Sequence, residues 1–173
     1  MKKALIILAG GEGKRFNKSS IPKQFIRINS YNIIEYFLTN LEKDLFNTIK
    51  IVVNPNMKKK YLSNLKKNFK FHNIQFVKAG NNRQQSSRNG IIALKREKPK
   101  IVLIHDAARP LASNTLIKKL IKKIKTFPAS SPYIKTNDLI KDTINKKNFL
   151  SKNFIHIQTP QAFSYKHILK AHQ

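Results

Sequence analysis

The chain has no cysteine and no tryptophan, only five glycines, and only eight acidic residues in 173. Without cysteine there is no disulfide scaffold, no thiolate zinc site and no thiol nucleophile. Acids are outnumbered by 35 Lys+Arg, for a formal net charge of +27. Such a balance suggests a nucleic-acid binder, but the excess comes from 29 Lys and is accompanied by 18 Asn in every segment. A dedicated nucleic-acid surface clusters its charge and interleaves aromatics. A lysine-rich solvated face is therefore the preferred reading, in a field that attracts anions of any kind, a triphosphate included. Long apolar runs are also missing. The run at residues 4–9 follows Lys2-Lys3 as in a signal peptide, but it is short and opens straight into glycines. No other stretch could span a bilayer, so a soluble, cytoplasmic protein is expected.

What is present is a hydrophobic content of 40% in well-spaced runs, enough for one packed domain. Residues 4–9, 49–53, 74–77 and 101–104 read as short buried strands, and residues 154–157 resume a strand-like alternation. Helical spacing marks residues 33–41, 58–69, 84–95 and 114–124. Strands alternating with helices predict an α/β domain with a mostly parallel sheet, in which ligands gather at the carboxyl ends of the strands. Three of those ends carry unusual polar sequences: residues 10–15, 80–88 and 105–110.

The first, Leu8-Ala9-Gly10-Gly11-Glu12-Gly13-Lys14-Arg15-Phe16, holds three of the five glycines. It fits neither the dinucleotide fingerprint, which needs a third glycine where Phe16 stands, nor a Walker loop, whose first glycine would fall on Leu8. Missing side chains let backbone amides close on phosphate oxygens. A tight strand-to-helix turn explains the glycines equally well. Arg15 and the following Pro22-Lys23-Gln24 tip the balance, because a polyphosphate cradle needs cations around it. Four of the six arginines, at 15, 83, 88 and 109, fall in or beside the three loops, and arginine supplies a planar fork suited to phosphate. The polar loop Gly80-Asn81-Asn82-Arg83-Gln84-Gln85-Ser86-Ser87-Arg88 can read a base or sugar, or can be a turn with Ser86 or a neighbour capping the next helix. Asp106 suits a magnesium ligand, a salt bridge to Arg109 or a helix cap. His105 and His156 read as packed, hydrogen-bonded residues.

These segments, with His105-Asp106-Ala107-Ala108-Arg109-Pro110 and Thr159-Pro160-Gln161-Ala162-Phe163, resemble the 2-C-methyl-D-erythritol 4-phosphate cytidylyltransferase family of the non-mevalonate isoprenoid pathway. The motifs are in family order along nearly the whole chain. The resemblance implies a three-layer, Rossmann-like nucleotidyltransferase fold over residues 1–173. It implies transfer of CMP from CTP to methylerythritol phosphate, with Mg²⁺ as cofactor and a homodimer as assembly. By motif match, Arg15 and Lys23 stabilise the charge at the α-phosphorus. Ala9, Gly10, Gly11 and Gly13 hold the triphosphate, and Gly80, Arg83 and Ser86 contact the nucleotide. Asp106 assists the metal and Arg109 faces the acceptor.

Two positions depart from the family pattern. Leu139, in Asn137-Asp138-Leu139-Ile140-Lys141, stands where the family has an acceptor-touching threonine, and the place of its phosphate-positioning arginine falls near Ser151, beside Lys152. The chain also ends at Gln173, before the family's C-terminal segment, so an amino-terminal fragment of a longer or fused enzyme is expected. The altered acceptor half leaves two alternatives: another acceptor such as ribitol phosphate, and a non-catalytic nucleotide or nucleic-acid binding module.

Overall fold

A computed structural model describes residues 1–11, 23–57, 59–136 and 138–173, without the side chains of Lys23, Ile28, Lys60 and Ser151. In chain order the strands are β1 (Lys3–Ala9), β2 (Arg27–Ile28), β3 (Tyr31–Asn32), β4 (Thr48–Val53), β5 (Ile74–Lys78), β6 (Ile101–Asp106), β7 (Ala129–Ser130), β8 (Tyr133–Lys135), β9 (Ile140–Lys141), β10 (Asn148–Phe149), β11 (Ile155–Ile157) and β12 (Gln161–Ser164). The helices are α1 (Ile33–Asn40), α2 (Lys59–Asn68), α3 (Arg83–Ile92), α4 (Asn114–Lys123) and α5 (Tyr165–Ala171), with one 3-10 turn at Lys23–Phe25 and another at Ser151–Asn153.

The six-stranded central sheet runs β5-β4-β1-β6-β12-β7. Its first four strands are parallel, whereas β12 pairs antiparallel with both β6 and β7. Period-two alternation divides β1 between two cores. Leu5, Ile7 and Ala9 pack with Phe37 and Leu38 of α1, Leu65 of α2 and Ile117 and Leu120 of α4. Ala4 and Ile6 face the other way, onto Ile91 of α3, Leu94 just beyond it and Tyr165 of α5. Helices on both faces of one sheet make the three layers, because the parallel strands are apolar on both sides and need cover on each.

One charged residue lies within a buried face. Lys50, in the middle of β4, is 3% exposed and donates to Gln75 and to Glu97 at 2.5 Å each. Burial raises the Glu97 carboxyl, but its hydrogen bond and charge pairing with Lys50 outweigh this and hold it below its ordinary value. An ammonium in this position would be costly without such partners.

The four parallel strands and four long helices follow the sequence expectation within two or three residues at each end. The chain beyond about residue 126 does not. The strand expected at residues 154–157 is β11, which pairs only with β8 in a two-stranded ribbon outside the main sheet. Among the described residues no layer packs against it, and all three residues of β11 are exposed. His156 is therefore a surface residue, not the packed one expected.

Candidate active site

The loops after β1, β5 and β6 meet at the carboxyl edge of the sheet, although β4 separates β1 from β5. Their approach is tight. A Cβ on Gly10 would sit 2.4 Å from the Cβ of Ala79, so the first loop comes as close to the β5 loop as a missing side chain permits. On the other side, the Ala107 amide donates to Leu8 O at 3.0 Å, joining the first loop to the β6 loop.

Gln24 fixes the glycine loop from below. It is 4% exposed, and its amide nitrogen donates to Ala9 O at 2.6 Å and to Gly11 O at 3.0 Å. Both carbonyls are thereby engaged on the Gln24 side. The same two bonds hold the 3-10 turn carrying Lys23 against the strand end. Sequence reading placed Gln24 in a motif but gave it no role. Gly13 and Arg15 lie outside the described residues, and the Lys23 side chain does as well.

In the second loop, the Gly80 amide donates to the Ser86 hydroxyl at 3.1 Å. A Cβ on Gly80 would fall 2.3 Å from the Cβ of Gln85 and 2.9 Å from its carbonyl carbon, so only glycine allows the turn. The helix cap is Asn82, whose side chain accepts from the Gln85 amide at 2.8 Å. Ser86 lies one turn further in and serves the loop instead. The sequence alternative of a capping neighbour is the correct one, and Ser86 is not the cap.

The third loop gathers the charges. Arg83, at the start of α3, donates to Asp106 Oδ1 from Nε at 3.2 Å and from a terminal nitrogen at 3.0 Å. Asp106 Oδ2 lies 3.7 Å from Arg109 Nε, an ion pair longer than a hydrogen bond. Arg109 also donates to Gln158. Three expected residues, Arg83, Asp106 and Arg109, thus form one cluster on partly exposed side chains. Arg88 does not join it: its Nε donates to His172 O at 2.9 Å, on the far side of α3.

Behind this cluster stands His105, fully buried and packed on the Phe37 ring at a centroid distance of 4.7 Å. Burial pushes its imidazole down to about 4, so the ring is neutral at physiological pH. Its nitrogens reach Arg109 O at 2.9 Å and the Thr159 hydroxyl at 3.3 Å, as the packed reading expects. The Thr159 hydroxyl accepts from the Asp106 amide at 3.2 Å. The segment leading into β12 is thus part of the site. No group of three or more His, Asp or Glu among the described residues is placed to enclose a metal, so an ion here would depend on one carboxylate plus ligand oxygens.

Of the two positions that depart from the family pattern, Leu139 is 68% exposed just before β9, and Lys152, beside the other, is exposed in the second 3-10 turn. Asn137 and the Ser151 side chain lie outside the description. No helix among the described residues is long and apolar enough to cross a membrane.

Comparison with known proteins extends these observations. A family model described as 2-C-methyl-D-erythritol 4-phosphate cytidylyltransferase matches residues 3–173. The bifunctional enzyme IspD/IspF of Pelagibacter ubique is 38% identical over 173 residues, which cover 98% of this chain and 45% of that protein. The 2-C-methyl-D-erythritol 4-phosphate cytidylyltransferase of Thermotoga neapolitana is 33% identical over 172 residues, covering 96% of this chain and 75% of that one. Among solved structures, the 4-diphosphocytidyl-2C-methyl-D-erythritol synthase of Anaerococcus prevotii superposes with a TM-score of 0.82 over 99% of this chain and 74% of its own. At 24% identity that likeness speaks for the fold alone. The bifunctional IspDF of Campylobacter jejuni gives 0.80 at 26% identity, covering all of this chain and 43% of its own. The chain therefore spans under half of the bifunctional relatives and about three quarters of the others.

Proposed function

The chain belongs to the 2-C-methyl-D-erythritol 4-phosphate cytidylyltransferase family, nucleotidyltransferases of isoprenoid biosynthesis, and from that membership we propose that residues 1–173 form one domain that transfers CMP from CTP to 2-C-methyl-D-erythritol 4-phosphate. A phosphate oxygen of the acceptor attacks the α-phosphorus of CTP. The bond from that phosphorus to the bridging oxygen breaks, and pyrophosphate leaves with the electron pair. No protein nucleophile is required, because phosphoryl chemistry depends on positioning and on charge stabilisation.

The observation that carries the reading is the convergence of the clamped glycine loop, the Gly80–Ser86 turn and the Arg83–Asp106–Arg109 cluster on one sheet edge. Ala9, Gly10, Gly11 and Gly13 hold the triphosphate and help to recognise the base, and Gly80, Arg83 and Ser86 contact the nucleotide. Arg15 and Lys23 offset the charge that builds on the α-phosphate. Arg109 faces the acceptor phosphate.

Asp106 suits Mg²⁺ chemically. Its Oδ1 is engaged by Arg83, while among the described residues Oδ2 has the longer contact to Arg109, so this oxygen would be the one to hold an ion. When bound, the ion neutralises triphosphate charge. Arg83 keeps the carboxylate oriented.

Pyrophosphate release from CTP, measured with and without methylerythritol phosphate, tests the proposal; acceptor-independent release, or none, rules it out. Leu139 favours one second reading. An exposed leucine in place of a hydroxyl suits an acceptor with different hydroxyl geometry, such as ribitol phosphate, and a panel of polyol phosphates separates the two. A second copy of this chain is the proposed partner. Its support is the ribbon β8–β11, which exposes Tyr133, Ile155 and Ile157 on one face. Sedimentation at micromolar concentration should give twice the monomer mass. Binding within a cytoplasmic pathway rather than to nucleic acid predicts weak affinity for random duplex at physiological salt.

A further inference from the structure

We propose that His105 is a positioning residue for the transfer reaction, locking the turn at residues 106–109 to the segment at 158–160 and so setting where Asp106 and Arg109 stand. The inference rests on the cytidylyltransferase reading. His105 has no exposed surface and cannot touch a ligand. Any effect it has on turnover passes through its neighbours.

For an uncharged ring, the form that full burial favours, the hydrogen bonds around it run in one direction. Arg109 O can only accept, so His105 Nε2, 2.9 Å away, carries the hydrogen. In a neutral imidazole Nδ1 then has only a lone pair, and the Thr159 hydroxyl at 3.3 Å donates to it. With its one hydrogen committed, that hydroxyl offers a lone pair to the Asp106 amide at 3.2 Å. The series runs from the Asp106 amide through Thr159 to the ring, and from the ring to Arg109 O. The Arg109 amide closes the turn by donating to Asp106 O at 3.0 Å. Phe37 lies against the ring and fixes its plane.

The consequence is specific to the site. The two residues at the ends of the relay are those whose side chains meet Arg83 and Gln158. A histidine that merely filled volume would need neither ring hydrogen bond, and phenylalanine would replace it. A relay that sets the turn would not tolerate the exchange, since displacing a reacting group by about 1 Å costs roughly 100-fold in rate.

Three variants test this in the full chain. His105→Phe keeps the ring shape and loses both bonds; His105→Gln retains a donor towards Arg109 O; His105→Asn retains an acceptor towards Thr159. The expected result is a fall of about 100-fold in kcat for His105→Phe, with the KM for CTP within about threefold of wild type. His105→Gln and His105→Asn should each recover part of the loss. Wild-type kcat in a folded His105→Phe overturns the proposal; if that variant does not fold, failure of both partial replacements to differ from wild type does so. Nitrogen NMR of histidine-labelled protein provides a readout independent of turnover. One histidine absent from the His105 variants should show hydrogen on Nε2 and a bare Nδ1, and the opposite tautomer overturns the relay. An inactive wild type with the expected tautomer would instead contradict the functional reading, leaving the relay itself supported.

Discussion

A single buried amide, Gln24, holds the glycine loop from one nitrogen without adding charge. It offers two hydrogens of one nitrogen to two carbonyls of the glycine loop, Ala9 O and Gly11 O. Gln24→Leu removes both bonds and leaves the carbonyls facing an apolar side chain, a loss of about 1–3 kcal/mol. Gln24→Glu is the harsher change despite its shape, because a carboxylate brings acceptors towards acceptors. We expect thermal midpoints in the order wild type, Leu, Glu, and a rise in the KM for CTP in the same order. A Glu variant more stable than the Leu variant would refute the clamp. Arg15→Ala and Lys23→Ala should behave oppositely. Both should lose orders of magnitude in kcat with little change in midpoint, since their proposed role is to offset charge in the transition state. Near-wild-type turnover in either would remove that residue from the mechanism.

Among the elements, α3 is the most constrained. It carries Arg83 and Ser86 at its start, and Gly90 near its end lies directly over the sheet. A Cβ there would fall 2.7 Å from the Ile6 Cγ2 methyl and 3.2 Å from that of Val52. Ile6 is fully buried and β-branched, so that methyl cannot rotate away. Alanine gains up to about 1 kcal/mol of helix propensity, but overpacking costs about 1–3 kcal/mol. Gly90→Ala should therefore lower the unfolding free energy by roughly 1 kcal/mol, as read by denaturant titration, and a stabilised variant would show that the helix can lift without cost.

The same scale shows what could be read from the chain beforehand. Strands β1, β4 and β6 are buried on both faces and appear as mostly apolar runs, and with the shorter edge strand β5 their alternation with helices predicted a parallel sheet and the meeting of their loops. β7 has two residues and β12 four, with partners more than thirty positions apart in the chain, and neither carries a periodic signal of its own. The alternation at Phe154-Ile155-His156-Ile157 looks like a half-buried strand, yet burial depends on a second layer that this ribbon lacks. The arginines at 83 and 109 stood out by their place in strand-end loops of a lysine-rich chain, and the fold brings both to Asp106. The Gln24 clamp and the Thr159 contact were not, because each joins segments that only the folded sheet brings together.

For the molecule as a whole, acid is the revealing stress. His72 and His105 are both buried with imidazoles held below their ordinary value of 6.5, chiefly by burial. Below that value the unfolded chain takes up protons that the native state refuses. Their contribution is therefore complete above about pH 6.5 and is lost as pH falls, for His105 down to about 4. His105 alone accounts for roughly 3 kcal/mol on this basis. Thermal midpoints at constant ionic strength should decline steadily across that window, and replacing His72 by Gln should flatten the decline. A flat wild-type profile would show that the rings are charged in the fold.

The antiparallel return at the edge of the sheet has an evolutionary consequence. Ser130 and Ala162 are paired neighbours, so the intervening residues leave and re-enter the main sheet at a single doorway. Such an excursion, apart from the contacts of Gln158 and Thr159 with Arg109 and Asp106, can be lengthened or exchanged between descendants without disturbing the parallel strands of the main sheet.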